Sequence, residues 1–132
     1  MMRLRIPNGI LNSSHMRYYA ECVRPYGEIG VVDITTRMNI QLRGMPFEDA
    51  ADILKGLQAR GQTSIMSGMD NLRNMVGSPI AGIDPHELID TRELTKHIDS
   101  TYTNNGLGNP EWANMPRKVC IYQFNNGVIR RL

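Results

Sequence analysis

The sequence predicts an α+β fold laid down in the order strand, helix, strand, strand, helix. Three observations predict it. Apolar residues alternate singly with polar ones at Met2 to Ile6 and at Met38 to Arg43, the period of a strand with one buried face. Apolar residues recur at helical spacing in two intervening stretches. Turn-forming residues separate the segments.

Met2, Leu4 and Ile6 alternate with Arg3 and Arg5, and Pro7-Asn8-Gly9 ends this first strand. Ser13 or Ser14 is positioned to cap a helix, whose apolar stripe is Met16, Tyr19, Ala20 and Val23. Pro25 and Gly27 stop it. Gly30 to Ile34 and Met38 to Arg43 form the second and third strands. Gly44-Met45-Pro46 turns into a second helix with Ala50, Ile53, Leu54 and Leu57 inward and Gly61 at its end. Gln62 to Met66 has the composition of one further strand. This order is the split βαβ pattern of a ferredoxin-like half-domain. Both helices then cover one sheet face. The opposite face is left to Arg3, Arg5, Asn39, Gln41 and Arg43, a basic and amide-rich surface suited to a ligand with carboxylates.

Gly68 to Pro85 is long for a structureless connection, which favours a functional role. Asp84-Pro85 has the form of a helix start. Asp90 or Thr91 is a second possible start, with Leu94, Ile98 and Tyr102 on the buried side. Thr103 to Pro116 reads as loop.

At 132 residues the chain has the length of one ordinary domain, and 41% hydrophobic with 21% charged residues describes a globular chain. Its net charge of +2 is too small to argue for nucleic acid. No apolar run approaches the roughly 20 residues of a membrane helix. Cys22 and Cys120 make neither a disulfide framework nor a metal cluster, and His15, His86 and His97 lack metal-ligand spacing. No phosphate-loop fingerprint is present.

Several long segments resemble the siroheme-dependent nitrite and sulfite reductases, most closely the ferredoxin-dependent nitrite reductases. They are Met2-Arg-Leu-Arg-Ile-Pro-Asn-Gly9, Asp33-Ile-Thr-Thr-Arg-Met-Asn-Ile-Gln-Leu-Arg-Gly44, the stretch from Ser67 to Pro85, Thr103-Asn-Asn-Gly106, and Asn109-Pro-Glu-Trp-Ala-Asn-Met-Pro-Arg-Lys118. In this reading residues 1–83 are the ferredoxin-like half-domain, residues 84–118 the truncated start of the siroheme and iron–sulfur domain, and residues 119–132 a divergent tail.

The resemblance implies roles for particular residues. Arg3, Arg73 and Lys118 fall on the cations lining the substrate pocket above the siroheme. Thr35, Arg37, Asn39, Gln41 and Arg117 fall on or beside positions that hold its carboxylates, and Arg43 is a further candidate. Guanidinium forks pair with carboxylates bidentately, and fixed cations stabilise charge that develops on a reacting anion. Lys118 is also a candidate proton relay if desolvation lowers its pKa. Arg5, Arg17, Arg24, Arg60 and Arg92 read as solvating surface cations.

The family implies siroheme and a 4Fe-4S cluster as cofactors, ferredoxin as electron donor, nitrite as substrate, a monomeric intact enzyme, and a plastid location for which this chain carries no transit peptide. Nucleic acid and membranes are not expected partners. The cysteines that bind the cluster in the family are missing, so the expectation is a piece of the enzyme that is inactive alone. Met38, Met75 and Leu107 replace the family's usual Gln, Pro and Arg. Cys120 stands where Asn in nitrite reductases and Lys in sulfite reductases would discriminate. A sulfite reductase piece and a non-catalytic anion- or RNA-binding βαββα module are the rival readings. The second lacks the face aromatics that base stacking needs.

Overall fold

The computed structural model describes residues 1–112 and 119–121. Strand β1 (Met2–Leu4), helix α1 (Ser13–Val23), strands β2 (Val31–Ile34) and β3 (Ile40–Arg43) and helix α2 (Ala50–Gln58) follow in the expected order. They are followed by β4 (Met75–Val76), α3 (Arg92–Tyr102) and β5 (Val119–Cys120).

The three-stranded sheet has the order β1-β3-β2, with β3 antiparallel to both neighbours. This is the split βαβ arrangement: β1 and β2 run parallel with β3 inserted between them. The register puts Leu4 opposite Ile40 and Met2 opposite Leu42. These face the helices and join Ile6, Tyr19, Cys22, Val23, Ile53 and Leu57 in the main core. The other parity aligns Arg3, Gln41 and Asp33 in one row across all three strands.

The helix stripe on α1 is rotated from the expected one. Tyr19, Cys22 and Val23 are buried, whereas Met16 and Ala20 are exposed. The cap is Asn12, one residue before Ser13: its side chain accepts the His15 N–H at 2.9 Å. Asn is as good a capping residue as Ser, so residue type alone did not choose between them. The candidate strand at Gln62 to Met66 reduces to a single bridge, with the Arg5 N–H donating to the Thr63 carbonyl at 3.0 Å.

No helix starts at Asp84-Pro85. Turns and bends run to Thr91, and α3 begins at Arg92. Of its expected buried side, Tyr102 is in the second core cluster and Ile98 packs against it, but Leu94 is exposed, and Thr95 and Asp99 are buried in addition. The threonine hydroxyls are satisfied along the helix itself, Thr95 Oγ1 donating to the Thr91 carbonyl at 2.7 Å and Thr103 Oγ1 to that of Asp99 at 2.8 Å.

Asp99 is satisfied from outside the helix. Arg5 Nη2 forms a buried ion pair with Asp99 Oδ1. Arg5 is 2% exposed and lies over the Tyr102 ring, 5.4 Å from its centroid. The expectation of a solvating Arg5 is therefore corrected. Leu72, Met75 and Tyr102 form a second core cluster, and Arg5 is the strut between it and the sheet.

Candidate functional site

The site is built on the sheet face away from α1 and α2. Arg3 projects from β1 in the row with Gln41 and Asp33. Its Nη1 donates to the Ser67 carbonyl at 3.0 Å. Ser67 Oγ returns a bond to the Arg3 carbonyl at 2.8 Å. The loop that opens the Ser67 motif is thereby lashed to the edge of β1.

Arg37 lies in the tight β2–β3 connection. The Met38 N–H donates to the Thr35 carbonyl and the Thr35 N–H to the Asn39 carbonyl, both at 2.9 Å. Met38 closes the turn at φ +60°. Thr35 Oγ1 accepts the Asn39 N–H at 3.1 Å, so that hydroxyl helps to hold the turn shut. Arg73 leaves the loop with Nε and Nη2 both donating to the Met69 carbonyl, at 3.2 and 3.0 Å.

Arg3 senses the other arginines. Burial is the first cause that holds the Arg3 guanidinium below the usual arginine range, followed by the positive charges of Arg73, Arg37 and Arg43. Arg43 is the best compensated of the set: its Nε lies 2.5 Å from Asp33 Oδ2 and its Nη2 donates to Gln41 Oε1 at 3.0 Å. Gln41 is itself buried, its oxygen taken by Arg43. Among the described residues no carboxylate forms an ion pair with Arg3, Arg37 or Arg73. The result is a cluster of cations left under mutual repulsion, which a bound polyanion relieves.

Asn39 is 1% exposed, and its amide Nδ2 donates to the Arg73 carbonyl at 3.2 Å. The structure thus brings Arg3, Thr35, Arg37, Asn39, Gln41, Arg43 and Arg73 to one region. Arg117 and Lys118 lie outside the described residues. Beside Arg3, a cleft of about 440 Å³ is walled by Met2, Met45, Phe47, Ser67 and Gly68. Ala50 of α2 also lines it and none of Arg37, Arg43 and Arg73 does, so this cleft opens at the β1 edge and not on the arginine face.

Sequence reasoning missed Asn74. Its Nδ2 donates to the carbonyls of Ile6 and Arg37, both at 2.8 Å. It stood inside the Ser67 motif, but nothing in that pattern set it apart from a turn residue. Arg5 and Asp99 were missed for a different reason: they act from the interior.

Residues 1–60 match the nitrite/sulfite reductase ferredoxin-like half domain. Residues 68–122 match the nitrite and sulphite reductase 4Fe-4S domain. The chain belongs to the nitrite and sulfite reductase family. A ferredoxin–nitrite reductase of Leptolyngbya laminosa is 58% identical over 121 residues, covering 92% of this chain and 24% of that protein. The chloroplastic ferredoxin–nitrite reductase of Arabidopsis thaliana is 53% identical over 123 residues, covering 92% and 21%. The solved Mycobacterium tuberculosis NirA protein superposes with a TM-score of 0.76 at 26% identity, over 92% of this chain and 21% of that one. The chain therefore spans about a quarter or less of the relatives it matches.

The family's iron–sulfur chemistry tests the donor set. The arginine face fits the acidic rim of a polycarboxylate cofactor. Iron ligation does not fit the described residues: no group of three or more His, Cys, Asp or Glu converges among them. Cys22 is buried in the main core and Cys120 is exposed, both as free thiols. Burial raises the Cys22 thiol pKa, which disfavours the thiolate that a metal needs.

Proposed function

We propose that this chain supplies the cofactor-rim and substrate-side cations of a ferredoxin-dependent nitrite reductase. The observation that carries the reading is the cluster of Arg3, Arg37 and Arg73 on one face, without carboxylate partners among the described residues. Arg37, with Thr35, Gln41 and Arg43 around it, would meet siroheme carboxylates; Asn39, buried with its amide on the Arg73 carbonyl, would hold the group in place and not touch the cofactor. Arg3 and Arg73 would face the substrate anion. Arg117 and Lys118 complete the set by resemblance.

In the whole enzyme, siroheme and a 4Fe-4S cluster would supply the electron-transfer chemistry for ferredoxin-driven reduction of nitrite to ammonia. This chain's own contribution is electrostatic. Its arginines bind an anion, orient it, and hold positive charge where negative charge develops on oxygen. They stay protonated at neutral pH, so they act as fixed charges and not as proton donors. Lys118 is the residue suited to proton delivery. Without thiolates for the cluster, the chain alone does not turn over nitrite.

The sulfite alternative has the same cation requirement. Asp33 and the wording of the Ser67 to Pro85 stretch favour nitrite, as do the names of the relatives. The test is a graft of residues 2–118 into the Leptolyngbya laminosa enzyme in place of its matching stretch. The expected result is ferredoxin-driven reduction of nitrite to ammonia. A folded, cofactor-loaded chimera that reduces sulfite in preference to nitrite, or neither, overturns the reading.

A further inference from the structure

The turn that carries Arg37 and the loop that carries Arg73 are distant in sequence, and two asparagines join them. Asn39 Nδ2 donates to the Arg73 carbonyl at 3.2 Å. Asn74 Nδ2 donates to the Arg37 carbonyl at 2.8 Å. The bonds cross: each amide grips the peptide group of the arginine on the other segment. The second hydrogen of Asn74 Nδ2 goes to the Ile6 carbonyl at 2.8 Å, which adds the end of the β1 segment to the same knot. Asn39 and Asn74 are 1% and 0% exposed.

The arrangement answers a physical problem. Arg37 and Arg73 both raise the positive potential at Arg3, and like charges push irregular segments apart. A carboxylate between them would hold them together but would neutralise them. An amide tie between backbones holds the segments while leaving the guanidinium charges uncompensated. Asp accepts and cannot donate to a carbonyl when ionised, and Ser has one hydrogen where Asn74 uses two. The Oδ1 atoms of Asn39 and Asn74 are buried without a hydrogen-bond partner among the described residues. Buried polar groups are ordinarily paired; of these two amides only the donor ends are engaged, and both are engaged on the segments that carry the arginines or on the end of the β1 segment.

We propose that Asn39 and Asn74 are positioning residues, a crossed amide clasp that fixes Arg37, on the carboxylates of a polycarboxylate ligand, against Arg73, whose charge adds to the field that draws the same ligand; this rests on the polycarboxylate reading above. The clasp acts through the arginines.

The test uses the 132-residue chain with uroporphyrin, a metal-free polycarboxylate porphyrin, as the probe. Affinity is read by fluorescence, folding by circular dichroism, and the arginine Nε–H signals by NMR without the probe. Asn74→Ala is expected to weaken binding about tenfold, as Arg73→Met does. Added to an Arg37→Met/Arg73→Met background, it is expected to change affinity by less than about twofold. The Nε–H signals of Arg37 and Arg73 should shift or broaden in Asn74→Ala while that of Arg60 stays. Wild-type affinity in a folded Asn74→Ala chain, or a loss that adds in full to the double arginine variant, overturns the clasp. A wild-type chain that ignores uroporphyrin overturns the polycarboxylate reading, while the arginine signals still decide the clasp. If Asn74→Ala does not fold, Asn39→Ser removes a single bond and is judged by the same outcomes.

Discussion

Arg5 at the end of the first strand forms a buried ion pair with Asp99 in the middle of α3, across 94 residues of sequence. The same guanidinium donates from Nη1 to the Met66 carbonyl at 3.0 Å and the Leu72 carbonyl at 2.5 Å. Both ends of the loop that holds Ser67 are therefore fixed by one side chain. The pair joins the sheet to the second core cluster and sets the platform from which Arg73 projects.

Removing Asp99 leaves a buried guanidinium without its counter-charge. Breaking one partner of a buried pair typically costs about 3–5 kcal/mol, a large part of a domain's total stability. Asp99→Ala is expected to lose that much in urea unfolding, and Asp99→Asn less, because its amide oxygen still accepts. A loss under about 1 kcal/mol for Asp99→Ala would show that the pair carries little of the fold.

Gly44 closes the Asp33 motif at φ +82°, and a Cβ there would lie 2.0 Å from the Ile29 carbonyl oxygen. Gly61 has φ +70° with nothing within 4 Å of an added Cβ. Gly61→Ala should cost about 1 kcal/mol for the left-handed backbone alone. Gly44→Ala should cost roughly 2 kcal/mol or more, since backbone must move as well. Thermal melts of the two variants check the difference. Equal costs would mean that the close approach to Ile29 is not a constraint.

How far the sequence was legible follows from what periodicity reports. It reports which side chains share a face, and the sheet, its inward residues and the row of Arg3 and Gln41 followed from that. It does not report what covers a face. Arg5 shares a parity with Arg3, yet one meets Tyr102 and Asp99 and the other the arginine cluster. On α3, hydroxyls that bond their own helix allowed Thr95 to be buried while Leu94 stayed out. The resemblance brought Arg37 and Arg73 together, but the amides of Asn39 and Asn74 that join them needed coordinates.

Tyr26 gives a pH prediction. Its hydroxyl donates to Asp49 Oδ2 at 2.5 Å, and this bond to a carboxylate pushes the phenol from an ordinary 10.0 up to about 12. The folded value is raised, so the bond's contribution to stability is complete below pH 10.0 and is lost as pH rises through about 12. Tyrosinate absorbance of the wild type minus Tyr26→Phe should show the missing phenol titrating near pH 12. Titration of that phenol at its ordinary value would contradict the hydrogen bond.

Arg37 should separate stability from binding. Its guanidinium adds to the charge that Arg3 already bears. Arg37→Met removes repulsion and no ion pair among the described residues, so stability should stay within about 0.5 kcal/mol of the wild type or rise. Binding of a polycarboxylate should fall in the same variant. Urea unfolding and fluorescence titration, run side by side, check both halves; a destabilised variant with intact binding would assign Arg37 to the fold.

The most direct measurement is a titration of the chain with siroheme at several salt concentrations, beside an Arg3→Met/Arg37→Met/Arg73→Met variant. A cation cluster built for carboxylates predicts saturable binding that weakens as ionic strength rises and that the variant loses. Siroheme binding that is unchanged in the folded variant and indifferent to salt would contradict it.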